Sequence, residues 1–195
     1  PPLQAVLLER DPAFVALARD NIAANGLADR VCAVEADVGA PAAQLDALGL
    51  RPDSFDAVLA NPPYHDSDAG TPAPHALKAD AHAMPSDALE TWARFMARMV
   101  RPGGRVTLVH KAEALPRVLT AFATRFGALI VLPIHPRAGE DAIRVIVSGI
   151  KGNRAPLSLR APFVLHGIGQ EFTEEARSIL RSGAALDLCA PRQGA

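Results

Sequence analysis

Short apolar runs alternate with amphipathic helical segments along this chain, and the alternation limits its fold more than any other feature. Six runs have the length and apolar character of β-strands, at residues 3–8, 31–35, 54–60, 105–110, 129–134 and 143–150. Apolar residues recur at helical spacing in four segments, at residues 12–24, 41–48, 86–100 and 112–125. Strands that alternate with helices in this way predict an α/β protein with a doubly wound, mostly parallel sheet.

The ends of these segments carry helix start and stop signals. Asp11-Pro12 supplies an N-cap followed by proline at the first helical position, and Asn25-Gly26 supplies a stop. The last two strands are separated by only eight residues, 135–142, so we expect them to pair as an antiparallel unit at one edge of the sheet. In open sheets of this type, ligands bind at the carboxyl ends of the parallel strands.

Length and composition indicate one domain. The chain has 195 residues, of which 49% are hydrophobic, which is enough for one core with little left for a second. We therefore predict a single domain over residues 1–195, with residues 155–195 as a C-terminal extension. Residues 65–85 contain Pro72, Pro74 and Pro85 and show little apolar periodicity, so we predict that this segment is a mobile substrate loop.

Charge is unevenly distributed between the two halves of the chain. Residues 1–100 hold 7 Lys and Arg residues against 14 Asp and Glu residues, whereas residues 101–195 hold 13 against 7. A basic second half is suited to contact with the phosphate groups of RNA. The alternative is that arginines such as Arg101, Arg117 and Arg125 only solvate helix faces.

Cysteine and histidine spacing argues against a metal site or a disulfide framework. Cys32 and Cys189 have no His or Cys neighbour at metal-ligand spacing, and the histidines of the 65–85 segment are spaced too widely for a compact site. No apolar run is long enough to span a bilayer and no targeting segment is visible, so we expect a soluble cytoplasmic protein.

The tetrapeptide Asn61-Pro62-Pro63-Tyr64 follows the third predicted strand directly and is typical of an amine-binding turn. An aromatic amine is a poor nucleophile, so an enzyme that methylates it needs acceptors for both N–H groups. The side-chain oxygen of Asn61 and the carbonyl of Pro62 supply two acceptors, while Tyr64 offers a face for a planar group. The alternative is an ordinary strand-ending turn, because Asn and Pro are common turn residues.

The order of these features resembles that of the class I S-adenosylmethionine-dependent methyltransferases over residues 3–150. Within that superfamily, Asn-Pro-Pro-Tyr occurs in enzymes that methylate adenine N6 in DNA or RNA and in enzymes that methylate a glutamine amide. Within the superfamily, the chain resembles more closely the bacterial tRNA1(Val) adenine-37 N6-methyltransferase family. This similarity rests on the tetrapeptide and on four later segments, at residues 132–137, 142–145, 163–166 and 172–175.

The resemblance implies an N-methyltransferase that binds S-adenosylmethionine and acts on an adenine N6 in tRNA. It makes Asn61, Pro62 and Tyr64 the catalytic residues, and it places Glu9, Asp37 and Asn61 at the cofactor. Glu9 would accept hydrogen bonds from the ribose hydroxyls and Asp37 from the adenine amino group. The alternatives are that Glu9 is a solvated strand-end charge, and that Asp37 caps the following helix or only ends a strand.

The sequence departs from that superfamily at its start. The superfamily has a central first strand followed by a glycine-rich loop that approaches the cofactor, and this chain opens at what would be the second strand. We expect that strand and loop to lie upstream of residue 1. Their absence would leave a break in the sheet between the strands ending at Glu9 and Ala60.

Two other functions stay open, and no oligomeric state is predicted. A protein-glutamine N5-methyltransferase would use the same Asn61 and Pro62 acceptors but would need no basic surface. A noncatalytic methyltransferase-like binding module would need neither acceptor. His110 and Lys111 lie at the end of the fourth strand, and we assign neither a proton-transfer role, because the ammonium formed by methylation is acidic enough to lose its proton to water.

Overall fold

The computed structural model describes residues 3–63 and 88–189, together with the backbone of residues 65–66 and 83–84. Tyr64 and most of the predicted substrate loop at 65–85 lie outside the described residues. The chain forms two compact units, Pro1–Pro52 and Asp53–Ala195. The expectation of a single domain over residues 1–195 stays a prediction.

The first unit alternates strands and helices in the order β1 (Ala5–Glu9), α1 (Pro12–Ala24), β2 (Val31–Glu35) and α2 (Ala42–Ala47). The two strands pair in parallel along their whole length, so that Glu9 lies opposite Glu35 at their carboxyl ends. Val15 and Ile22 of α1 pack with Ala33 of β2 to form the core of this unit. The apolar face of the helix thus covers one side of the strand pair.

Both predicted signals around α1 are confirmed. The Asp11 side chain accepts a hydrogen bond of 2.8 Å from the backbone N–H of Ala13. Pro12 occupies the first turn, where its missing N–H costs no helical hydrogen bond. After the helix, Gly26 adopts φ = +62°, a left-handed conformation that ends the helix and that glycine adopts without strain.

The second unit contains the remaining elements. They are β3 (Phe55–Ala60), β4 (His65–Asp66), β5 (Ala83–Met84), α3 (Ala88–Met99), β6 (Val100–Lys111), a 3-10 turn (Ala112–Ala114), α4 (Leu115–Ala123), β7 (Phe126–His135), β8 (Arg144–Lys151), β9 (Ser158–Leu159), β10 (Phe163–Val164) and α5 (Glu174–Ser182). The predicted helix at 112–125 is thus divided in two, because Pro116 fits the first turn of α4 but not a helix interior.

The main sheet of the second unit has the strand order β10–β7–β8–β6–β3, and β9 also pairs with β7. β3 and β6 run parallel, whereas β8 lies antiparallel between β6 and β7. The predicted antiparallel pairing of the last two long strands is confirmed. Its predicted place at the sheet edge is wrong, because β9 and β10 of the C-terminal extension pair with β7 on its outer side.

Helices cover both faces of this sheet. The core on one face joins α3 and α4 to the central strands and includes Met96, Val106, Leu108 and Phe122. The core on the other face joins α5 to the outer strands and includes Leu132, Ile146, Phe163 and Ala176. Side chains of β6 alternate between the two faces, as the pleat of a strand requires.

Lys151 at the end of β8 joins the C-terminus of α3 to the sheet. Its ammonium donates to the carbonyls of Ala97 and Val100 at 2.6 and 3.0 Å. It also donates to Oδ1 of Asp53 at 2.5 Å. The last carbonyls of a helix have no partner within the helix, so a cation at this end satisfies them and complements the helix dipole. The lysine thus fixes the end of α3 against β8.

The strands of the two units belong to separate sheets. β1 pairs with β2 in the first unit, and β3 pairs with β6 in the second. Within the described ranges no strand joins β1 to β3. The expectation of a further central strand between them stays a prediction. None of the helices that the structure describes is both long enough and apolar enough to cross a membrane.

Candidate functional site

The turn formed by Asn61, Pro62 and Pro63 begins where β3 leaves the sheet. Ala60, the last residue of β3, pairs with Leu108, so the turn lies beside the end of β6. Pro62 is fully buried, Pro63 is half-buried and Asn61 is exposed. The buried ring anchors the turn, while the Asn61 side chain stays accessible to a ligand at the carboxyl edge of the parallel strands.

His110 lies next to this turn at the penultimate position of β6. Its side chain is only 4% exposed and points to the same side of the strand as Leu108. Burial lowers the pKa of the imidazole below its usual 6.5, and the positive charges of Arg117 and Lys111 lower the pKa further. The backbone of Lys111 and Pro63 acts in the opposite direction and raises the pKa, but by less. Its surroundings therefore favour the neutral form of the ring.

Glu9 closes β1 in the first unit, and the chain that follows holds its carboxylate. Its Oε1 accepts hydrogen bonds from the backbone N–H groups of Arg10 at 2.7 Å and Asp11 at 2.9 Å. Two donors on one oxygen fix the direction of the carboxylate. A fixed carboxylate at a strand end can accept hydrogen bonds from vicinal hydroxyl groups such as those of a ribose.

Asp37 lies just beyond β2 and at the same edge of the strand pair as Glu9. The backbone N–H of Ala36 donates to the Glu9 carbonyl at 2.9 Å, which brings the two strand ends together. Asp37 is exposed, and its Oδ1 accepts from the backbone N–H of Gly39 at 2.6 Å. The alternative that Asp37 caps α2 is wrong, because the N-cap residue of α2 is Pro41 and no side chain caps this helix.

The structure thus places the predicted residues in two groups. Glu9 and Asp37 lie together in the first unit, while Asn61 and Pro62 lie together in the second. Tyr64 is outside the described residues. The first group offers carboxylate acceptors for hydroxyl and amino groups, and the second offers an amide and a carbonyl acceptor for N–H donors. Considering only the described part of the chain, no cluster of three or more His, Cys, Asp or Glu could hold a metal ion.

Several cationic side chains of the second unit form ion pairs within the protein. Arg101 lies 2.7 Å from Asp56, and Arg125 pairs with Glu90. Arg125 also donates to the carbonyl of Ala121 at 2.8 Å, so it links two helices rather than only solvating a helix face. The basic excess of the second half is therefore partly neutralised inside the fold.

Sequence reasoning assigned no role to His110, although a signal was present. A strand that buries Val106 and Leu108 on one face also turns residue 110 toward that face, so the burial of this histidine could have been predicted. Lys151 gave no such signal. Its carbonyl partner Ala97 lies at a helix end far away in the sequence, and nothing around Lys151 in the chain marks it as a helix cap.

No protein-family model and no curated protein matches the chain. Among solved structures, the chain is 30% identical to a predicted O-methyltransferase from Agrobacterium tumefaciens, with a TM-score of 0.75. The match covers 93% of this chain and 78% of that chain. The chain belongs to the S-adenosylmethionine-dependent methyltransferases.

Two further solved structures share the fold of this methyltransferase at lower identity. The tRNA methyltransferase TrmI from Aquifex aeolicus is 13% identical with a TM-score of 0.51, and the match covers 77% of this chain and 54% of that chain. A protein assigned as an rRNA methylase from Clostridium thermocellum is 15% identical with a TM-score of 0.50. That match covers 76% of this chain and 75% of that chain. The predicted Rossmann-like fold, the methyltransferase class and the cofactor S-adenosylmethionine are confirmed.

Proposed function

We propose that this methyltransferase transfers a methyl group to the exocyclic N6 amine of an adenine in tRNA. The observation that carries the proposal is the Asn61-Pro62 turn, which exposes an amide side chain at the carboxyl end of β3 and buries the adjoining proline ring. The exposed amide can reach a substrate, and the buried ring keeps the neighbouring carbonyl in a fixed position. Both acceptors suit an amine that presents two N–H donors.

The two acceptors activate the amine through geometry and without a strong base. The lone pair of an adenine amino group is delocalised into the ring. When Asn61 Oδ1 and the Pro62 carbonyl each accept one N–H, the nitrogen is drawn toward tetrahedral geometry and its lone pair turns out of the ring plane. S-adenosylmethionine, when bound, supplies the electrophilic methyl group toward which this lone pair is directed.

The adenine must leave its stack to reach such a turn. Enzymes that modify a base inside a stacked nucleic acid extrude that base into the site. Tyr64 follows the turn in the sequence and offers an aromatic face to the extruded ring. Stacking of a base on an aromatic side chain contributes about 1–3 kcal/mol of binding, which offsets part of the cost of extrusion.

The carboxylates of the first unit fit the donor groups of the cofactor. Ribose hydroxyls and an adenine amino group donate hydrogen bonds, and an ionised carboxylate is purely an acceptor. Glu9 presents such a carboxylate already oriented by two backbone donors, and Asp37 presents a second, exposed one at the same strand edge. We assign Glu9 to the ribose and Asp37 to the adenine amino group of the cofactor.

The choice of RNA over protein as substrate rests on charge. Residues 101–160 hold 10 Lys and Arg residues against 3 Asp and Glu residues. Ion pairs with carboxylates outside this range engage Arg101, Arg125 and Lys151, and a positive balance still remains to attract phosphate. A protein-glutamine N5-methyltransferase would use the same turn, but its protein substrate carries no phosphate backbone that this excess of positive charge would attract.

The proposal is tested by incubating the protein with methyl-labelled S-adenosylmethionine and, in separate arms, with total tRNA and with cell protein. Nuclease digestion of the tRNA is expected to release the label as N6-methyladenosine. Label found in protein glutamine, with none in N6-methyladenosine, would replace the RNA proposal with the protein alternative. Absence of label from both arms would contradict both.

The role of the turn is tested by Asn61→Ala. Removing a group that acts only in the transition state costs about 10²–10³-fold in rate. We therefore expect single-turnover methylation to slow by about 100-fold while the cofactor dissociation constant changes less than about twofold. The matched control is Asn153→Ala, which removes another exposed asparagine of the same unit, whose Oδ1 accepts a hydrogen bond from the backbone N–H of Ala155 at 2.7 Å. A large loss of cofactor affinity with intact single-turnover chemistry would contradict the assigned role.

A second candidate function is methyl transfer to a hydroxyl oxygen, which the name of the Agrobacterium structure favours. A hydroxyl group needs a base or a cation to ionise it before methylation. The Asn61-Pro62 turn supplies two neutral acceptors and no base, so it suits an amine better. Label recovered from small phenols or other hydroxyl compounds as a methyl ether, with none in adenine, would favour this second function.

A further inference from the structure

Two cationic residues lie opposite each other on the strands next to the turn. In the antiparallel pairing of β6 with β8, Lys111 is the direct partner of Arg144. The side chains of directly opposite residues lie on the same face of a sheet, with Cβ atoms about 4.5–5.5 Å apart. Like charges placed in this way destabilise the pairing of two strands. Local choices that cost stability are expected at functional sites, so this pair calls for a functional explanation.

The pair lies at the edge of the sheet where the Asn61-Pro62 turn begins. β3 and β6 run parallel and Ala60 pairs with Leu108, so the turn and the last residues of β6 leave the sheet at the same carboxyl edge. β6 lies next to β3, and β8 is the following strand. Neighbouring strands are about 4.8 Å apart, so the pair lies about 5–10 Å across the sheet from the line of β3. That span is within the size of one nucleotide.

Backbone hydrogen bonds fix both strand ends that carry the pair. The backbone pairing of β6 and β8 continues past the two residues, because the N–H of Ala112 donates to the carbonyl of Ile143 at 3.2 Å. The N–H of Ile143 in turn donates to the carbonyl of Ile134 in β7 at 3.0 Å. Because both side chains start from fixed strand ends, less conformational entropy is lost when they bind an anion.

Both cations can still donate to a ligand. Lys111 forms an ion pair with Glu113 at 3.4 Å, and the Glu113 side chain is 76% exposed. Exposed ion pairs are weak and screened by salt, so an anionic ligand can displace this glutamate. Nη1 of Arg144 donates to the carbonyl of Ile143 at 2.9 Å. A guanidinium has five N–H donors, so this hydrogen bond does not exhaust them.

We propose that Lys111 and Arg144 form a phosphate-binding pair that holds the tRNA backbone beside the extruded adenine. This inference rests on the proposed function of the turn. A phosphodiester presents oxygen acceptors and one negative charge, which match a lysine ammonium next to the planar fork of an arginine. A bound phosphate also offsets the repulsion between the two cations. Phosphate contacts position a nucleic acid without reading its sequence, so the pair sets where the adenine meets the turn.

The test measures the binding of end-labelled total tRNA to the protein, without cofactor, over a range of salt concentrations. Lys111→Met and Arg144→Met each remove one cation, and each is expected to weaken tRNA binding about tenfold, because a charge-assisted contact is lost. The slope of log affinity against log salt concentration is expected to become shallower by about 0.7–0.9 in each variant. The matched control is Arg154→Met, which removes an exposed cation beyond the end of β8, at the opposite edge of the sheet. It should leave the affinity and the slope unchanged.

Two further measurements separate phosphate binding from other roles of the pair. In the tRNA methylation assay, the loss in Lys111→Met should appear as a higher KM for tRNA and much less in kcat, because a phosphate contact is made equally in the ground state and the transition state. The cofactor dissociation constant of both variants, measured by calorimetry without tRNA, should stay within about twofold of the wild type. Thermal unfolding of each variant shows whether the protein that was assayed is folded.

The outcomes distinguish this inference from the function on which it rests. If the wild type forms N6-methyladenosine and both variants bind tRNA as Arg154→Met does, the phosphate role is wrong and the proposed function stands. If the wild type leaves tRNA unlabelled, the proposed function fails and this inference fails with it. Weaker cofactor binding with unchanged tRNA binding would assign the pair to an anionic group of the cofactor and overturn the inference. If Arg144→Met does not fold, the result for Lys111→Met decides alone.

Discussion

Replacing Lys151 with methionine tests how strongly one ammonium group stabilises the second unit. The ammonium donates to the carbonyls of Ala97 and Val100 and to Asp53, and its side chain is 25% exposed. Methionine keeps the length and apolar stem of the side chain but leaves these acceptors without their cation. A charged hydrogen bond contributes about 1.5–3 kcal/mol and a cation at a helix C-terminus about 0.3–1 kcal/mol. We therefore expect Lys151→Met to lower the free energy of unfolding by about 2–4 kcal/mol.

The assay can follow the helix that Lys151 holds. Trp92 is the only tryptophan of the chain and lies in α3, packed against the core of the second unit. Its fluorescence during urea or thermal unfolding therefore reports the state of this unit. For a chain of this length, 1 kcal/mol shifts Tm by about 2–4 °C, so the expected loss is about 4–16 °C.

A second lysine of equal exposure provides the control. The Lys111 side chain is also 25% exposed, but its ion pair is with Glu113 at 3.4 Å, and that glutamate side chain is 76% exposed. Exposed pairs contribute about 0–1 kcal/mol, so Lys111→Met should shift the midpoint only slightly. Equal losses in the two variants would refute the argument that the helix-end carbonyls make Lys151 different.

Three other outcomes are expected. Glu9→Gln should raise the cofactor dissociation constant about 10- to 100-fold, equivalent to about 1.4–3 kcal/mol, as measured by calorimetry, and unchanged affinity would show that Glu9 does not bind the ribose. Gly127→Ala should destabilise by about 1–3 kcal/mol in urea unfolding, because its Cβ would lie 2.0 Å from a backbone oxygen of Asn153, whereas Gly167→Ala, with nothing within 4 Å, should be near neutral. Because burial lowers the pKa of His110 below 6.5, the free energy of unfolding should fall as the pH drops below about 6.5 and level off below the folded-state pKa. This pH dependence of stability should be absent in His110→Leu, and its persistence in that variant would assign it to other titratable groups.

The fold was predictable where several local signals agreed. The strand expected at residues 31–35 is β2, and the helix expected after Asp11-Pro12 runs to Ala24 before Asn25-Gly26. At these positions apolar periodicity, caps and turn residues all favour one structure, so the local sequence determines the secondary structure without help from tertiary contacts.

Sheet order and the outermost strands were beyond local reasoning. β9 and β10 are two residues long, which is too short for any periodic pattern, and they pair only because β7 presents an edge to them. The antiparallel pairing of β7 and β8 follows from their short connection, but that connection does not reveal that β8 also pairs with β6.

The candidate site was predictable in position but not in its supports. Glu9 ends β1, Asp37 lies two residues beyond β2 and Asn61 directly follows β3. Strand ends are where ligands bind in such sheets. The hydrogen bond from the backbone N–H of Ala36 to the Glu9 carbonyl, which brings the ends of β1 and β2 together, depends on how separate segments meet in space. Sequence spacing carries no information on such a contact.

The central place of β8 sets the order in which the second unit can fold. β8 is the last long strand to leave the ribosome, yet it lies between β6 and β7. The β7–β8 hairpin is local and can form quickly, whereas its pairing with β6 closes a longer loop and is expected to be the slower step. Until then β6 keeps an open edge on which nascent chains can associate. His110 pairs with Val145 of β8, so the histidine beside the turn is enclosed only when this late strand arrives.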